Sequence, residues 1–78
     1  MYTAKYIVAD GSMIVFSAAI KHSEFRSWNP TSAGFISFST NKDGGVVCSC
    51  YGRSESLGIE SNPEKDTRIA NIQIAVSY

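Results

Sequence analysis

Residues 34–51 read GFISFSTNKDGGVVCSCY, and the fold turns on them. Gly34 to Thr40 alternates: Ile36 and Phe38 fall on one side, Phe35, Ser37 and Ser39 on the other. Asn41-Lys42-Asp43-Gly44-Gly45 is dense in residues that tolerate tight backbone turns. Val46 to Tyr51 alternates again, with Val46, Cys48 and Cys50 on one face and Val47, Ser49 and Tyr51 on the other. Two alternating runs around such a turn predict a β-hairpin.

Toward the N-terminus, Lys5–Ala9 (KYIVA) and Met13–Phe16 (MIVF) flank Asp10-Gly11-Ser12, which predicts a second hairpin. The run at 13–16 is apolar at every position and predicts a central strand covered on both faces. Ser17 to Trp28 changes period. Ser17 and Ser23 are candidate caps, Phe25 and Trp28 share a face at i, i+3, and a short helix is expected, ended by Asn29-Pro30. Asn29–Gly34 (NPTSAG) reads as a small polar loop.

Beyond residue 58, Ser61 and Glu64 fit the S-x-x-E capping box, Pro63 suits a first helical turn, and Glu64 and Asp66 suit the positive end of the helix dipole. A helix is expected from about Asn62, with Ile69, Ile72 and Val76 along one face. Ile72, Ile74, Val76 and Tyr78 also alternate as a strand would, so both readings stand for residues 70–78, the helix being favoured. A helix with Ile74 and Tyr78 opposite its first apolar face needs two burial partners. Ile72, Ile74, Val76 and Tyr78 are therefore the expected subunit interface. The expected class is α+β: one domain, a small antiparallel sheet of two hairpins with a short helix after the first and a C-terminal helix (ββαββα), the helices mainly on one face.

Seventy-eight residues bury only about 60–65% of their unfolded surface. Two cysteines and one histidine are too few for a disulfide scaffold or an intrachain zinc site. Association into a homo-oligomer is the expected stabiliser. Lys and Arg number 7, as do Asp and Glu, so the net charge is zero. That balance argues against a broad DNA- or RNA-binding surface, while leaving room for a local cationic spot. No apolar run approaches the ~20 residues of a membrane helix and no secretory signal is seen, so a cytoplasmic location is expected.

Cys48 and Cys50 read as small buried thiols. His22 and Ser23 are neighbours that point apart, which gives no catalytic dyad, and His22 reads as partly exposed. No catalytic residue, cofactor or metal is expected, and the protein reads as a binder, not an enzyme. Cys50–Gly58 (CYGRSESLG) supplies the candidate site. Arg53 can clamp a phosphate or carboxylate, and Ser54 and Ser56 can add hydroxyls. His22 and Arg26 are candidate neighbours, and Trp28 and Tyr51 can stack a base. Glu55 opposes a pure anion cradle, and the spacing matches neither the P-loop nor the G-x-G-x-x-G pattern.

His22-Ser23, Ser32-Ala33-Gly34-Phe35, Cys50 to Leu57 and Pro63-Glu64 together carry a resemblance to a set of small bacterial and phage proteins without a settled function. The resemblance spans most of the chain on short motifs and brings no catalytic residues. It implies a mobile-element setting. In that setting the expectation is a stoichiometric anti-defence inhibitor that sequesters a small anionic, nucleotide-like ligand. The alternative is a module that binds a host protein through the C-terminal apolar segment.

Overall fold

The structure, a computed structural model, describes residues 2–77, with side chains through Gln73. Strands β1 (Tyr2–Ala9), β2 (Ser12–Phe16), β3 (Ser32–Thr40) and β4 (Val46–Tyr51) form one antiparallel sheet in the order β2-β1-β3-β4. Two-residue strands β5 (Arg53–Ser54) and β6 (Ile59–Glu60) form a small second hairpin, and helix α1 runs from Pro63 to Ser77. The class is α+β, as the sequence predicts, and both long hairpins lie where the apolar or alternating runs and their turns put them.

The apolar run at 13–16 is not a central strand. β2 is an edge, and β1 and β3 are the inner pair. The run is apolar because layers lie above and below the sheet. Met13 joins the core under α1, and Ile14 and Phe16 join the core on the opposite face. Burial of both faces reports covering layers and says nothing of neighbours along the sheet.

Those layers also correct the expectation of helices on one face. Ala4, Tyr6, Val8, Met13, Ile36, Cys48, Cys50 and Ala70 form the core against α1. Ile7, Ala9, Phe16 and Ala33 form a second core, on which Phe25, Leu57 and Ile59 pack. A 3-10 helix at His22–Trp28 and the β5–β6 hairpin therefore cover the face away from α1.

The segment after β2 is less helical than its period suggests. Ser17 Oγ accepts from Ala19 N (3.1 Å) and closes a turn, not a helix. The 3-10 helix starts after an extended Lys21 with no side-chain cap, so neither Ser17 nor Ser23 caps it. Phe25, at φ −106°, kinks it, and Asn29, at φ 53°, ends it. Phe25 packs against Phe16 with ring centroids 4.3 Å apart, whereas Trp28 is 56% exposed. The expected common face of Phe25 and Trp28 does not form. Ser32, Ala33 and Gly34 belong to β3, not to the preceding loop.

α1 is capped by Asn62: its Oδ1 accepts from Lys65 N (3.4 Å), and Asp66 Oδ2 accepts from Asn62 N (2.9 Å). Ser61, the expected cap, donates its hydroxyl to Gly52 O (2.6 Å) instead. α1 packs Ala70 and Ile69 on the core and meets the sheet edges with polar side chains. Thr67 Oγ1 accepts from Cys50 N (2.9 Å), and Asn71 exchanges two bonds with the backbone of Cys48 on the outer edge of β4. Gln73 does the same with Met13 on β2, the other edge. Asn71 and Gln73 are two residues apart, about 200° around a helix. The helix therefore turns one flank to each edge of the sheet, with Ala70 buried. Ile72 points away and is 58% exposed, so it shares no buried face with Ile69.

Candidate functional site

The antiparallel register aligns one residue from each long strand in a single rung. Lys5 pairs with Phe16 on one side and Phe35 on the other, and Phe35 pairs with Tyr51. Side chains in register share a face. Lys5, Phe35 and Tyr51 form the floor of a cleft of about 610 Å³ on the face away from α1. Lys21 and His22 of the segment after β2 make one wall; Gly52, Arg53, Glu55 and Ser56 of the β5–β6 hairpin make the other. Small-molecule sites typically span about 300–1,000 Å³.

Each wall has a structural cause. Gly52, at φ +80°, takes a backbone form that side chains disfavour, and it redirects the chain out of β4. Ser54, fully buried, accepts from Leu57 N through its hydroxyl (3.2 Å) and folds the turn that presents Glu55 and Ser56. Arg26 Nη2 donates to Ser56 O (2.9 Å) and ties the 3-10 helix to this hairpin. Lys5 Nζ donates to Ile20 O (2.9 Å), which holds its ammonium at the Lys21 side.

His22 is 4% exposed, against the expectation of a partly exposed ring. It is wedged edge-on between Phe16 and Phe35, and its Nε2 lies 2.8 Å from Gly34 O. Burial holds its pKa below the ordinary 6.5; the Gly34 carbonyl opposes that shift and the nearby Lys5 charge adds to it. The ring is neutral near pH 7, and because a carbonyl only accepts, Nε2 carries the hydrogen. Gly34 in turn admits no side chain, since a Cβ there would lie 2.4 Å from Tyr51 O.

The floor stacks Phe35 on Tyr51, with centroids 5.9 Å apart and planes 25° apart, and Tyr51 is exposed. Lys5, Lys21 and Arg53 face one carboxylate, Glu55, so the cleft is net cationic in a chain of zero net charge.

Of the predicted ligand-binding residues, the fold brings His22, Tyr51, Arg53 and Ser56 to this cleft. It does not bring Ser54, which is buried beneath the turn, or Arg26, whose guanidinium serves the hairpin backbone. Trp28 is exposed and is not among the residues lining the cleft. Of the predicted interface, Ile72 is exposed, while the side chains of Ile74 and Val76, and all of Tyr78, lie outside the described residues. Lys5, Lys21 and Phe35 are additions that sequence reading missed. Lys5 and Phe35 sit at alternation positions opposite Tyr6 and Ile36, a signal that gains meaning only with the β1–β3 register.

Cys48 and Cys50 are free and buried in the α1 core, on the other side of the sheet. Among the described residues, no three His, Cys, Asp or Glu side chains gather as a metal site would require, and no helix is long and apolar enough to cross a membrane. Comparison with protein-family models, curated proteins and solved structures returned no match.

Proposed function

We propose that the cleft binds a small anion bearing a planar ring, nucleotide-like in size and charge, and that the protein acts by holding this ligand. The observation that carries the reading is the joint placement of Lys5, Lys21 and Arg53 around the Phe35–Tyr51 stack. Cations serve a phosphate or carboxylate, and an exposed aromatic face serves a ring. A binder is favoured over an enzyme because the polar groups are committed to architecture: His22 Nε2 to Gly34 O and the Ser54 hydroxyl to Leu57 N. Sequestration of a signalling nucleotide, as an anti-defence protein in the cytoplasm, is the role that suits a stoichiometric binder of this kind.

Thermal melting against a panel of linear and cyclic nucleotides tests this, because a ligand of the folded state raises the midpoint by mass action. Arg53→Ala is expected to weaken binding about 10–100-fold, the loss of one charge-assisted contact. A wild-type midpoint unmoved by every member of the panel removes the reading.

The exposed Ile72 favours a second reading, in which α1 offers an apolar surface to a second copy or a host protein. Light scattering on the wild type and Ile72→Asp decides it. A monomer in both cases rules out self-association.

A further inference from the structure

We infer that the cleft, on the ligand-binding reading above, is built for a guanine nucleotide, whose base presents hydrogen-bond donors beside its anionic phosphate. A cradle for a bare anion needs donors and cations alone. This cleft also contains two acceptors. The first is His22: with its hydrogen on Nε2 and facing Gly34 O, its Nδ1 keeps a lone pair. Among the described residues no group donates to Nδ1, and no buried side-chain nitrogen or oxygen lacks a partner. His22 lines the cleft, and Nδ1 is the ring nitrogen left to accept there.

The second acceptor is Glu55, exposed on the hairpin turn and without an ion pair among the described residues. A carboxylate accepts through two oxygens side by side. Guanine is the common base with two adjacent donors, N1–H and the 2-amino group, on one edge. Adenine offers one amino group flanked by an acceptor, and uracil one N–H between two carbonyls. Guanine thus turns Glu55 from an obstacle to anion binding into a partner, while Lys5, Lys21 and Arg53 take the phosphate and the aromatic floor takes the ring. Sites that hydrogen-bond a polar group reject analogues lacking it, because their own acceptors are left unpaired.

Calorimetric titration of the full chain with GMP, IMP, AMP and ribose 5-phosphate tests this. GMP is expected to bind at least about 10-fold tighter than IMP, which lacks the 2-amino group, and than AMP. Glu55→Gln should bring GMP to within about 3-fold of IMP and leave ribose 5-phosphate as tight as before or tighter, since one repelling charge is gone. The substitution is on an exposed turn, and circular dichroism checks that the variant folds. Equal affinity for the three nucleotides, or a GMP preference that survives Glu55→Gln, overturns the inference while leaving the anion-binding reading in place. Failure of all four compounds to bind overturns the inference, and the anion-binding reading falls with it only where the wider nucleotide panel also leaves the melting midpoint unmoved.

Discussion

Tyr6 Oη donates to Asp66 Oδ2 at 2.5 Å, joining the middle of the sheet to the first turns of the helix across 60 residues of chain. The Asp66 carboxylate is 1% exposed, and it also accepts from Ser32 Oγ (3.0 Å) and Asn62 N (2.9 Å). A buried carboxylate is tolerable only when its oxygens are so occupied. Asp66→Ala strands two buried hydroxyls and removes the brace on Asn62, so a loss of about 3 kcal/mol or more is expected. Tyr6→Phe should cost about 1–3 kcal/mol and Ser32→Ala about 1 kcal/mol. Urea unfolding of the three variants checks that order, and equal costs would contradict it.

Stability should fall on both sides of neutrality. Burial, and then the Asp66 carboxylate, hold the Tyr6 phenol far above its ordinary 10.0, and burial pushes the Cys50 thiol from 9.0 up to about 11. The folded chain keeps these protons longer than the unfolded chain. Their contribution is complete below pH 9 and is lost as pH rises, through 9–11 for Cys50 and from 10 upward for Tyr6. The Cys50 shift is on the order of 2–3 kcal/mol. His22 has the opposite sign: its pKa is lowered, so the unfolded chain gains a proton below pH 6.5 that the folded chain refuses. Melting midpoints should plateau between about pH 7 and 9 and decline on both sides. Cys50→Ala should flatten the first part of the alkaline decline.

Gly34→Ala should damage both fold and site. The added methyl meets the Tyr51 carbonyl at 2.4 Å and the Ser61 side chain at 3.1 Å, and backbone atoms yield little. Overpacking of this kind costs about 1–3 kcal/mol. Because Gly34 O orients His22, ligand affinity should drop as well, in a variant whose cleft side chains are all intact. Denaturant titration reads the first effect and calorimetry the second.

Asn71→Ala should remove both bonds to Cys48 at the outer edge of β4, at a cost of about 1–3 kcal/mol. An open edge invites strand addition from another chain. The variant should therefore aggregate faster than Arg68→Ala, which loses only an exposed ion pair with Glu64. Equal aggregation rates would deny the edge-covering role of Asn71.

Strand pairs were legible in the sequence because their apolar or alternating runs and tight turns are local signals, and so was the start of α1. The face that α1 buries was not. Amphipathicity assigns apolar residues to the interior, yet the half-buried Thr67 and Asn71 and the exposed Gln73 turn toward the sheet because they meet backbone groups at its edges, a demand that no local pattern records. The candidate loop was legible as a cation beside hydroxyls, and Arg53 and Ser56 do reach the cleft. Ser54 looked the same in sequence as Ser56, but its side chain is spent on folding the turn. Lys5 and Phe35 were hidden because 30 residues separate them, and only the β1–β3 register makes them neighbours.

The polar contacts of α1 with the sheet edges also order events in time. Among the described residues, the side chains that bond the outer edges of β2 and β4 are Thr67, Asn71 and Gln73, all of which follow the four long strands in sequence. While the chain is being synthesised, the hairpins emerge before α1, and both margins of the sheet stay open until α1 follows. A chain cut before residue 67 would therefore keep two open sheet margins, each free to pair with another strand.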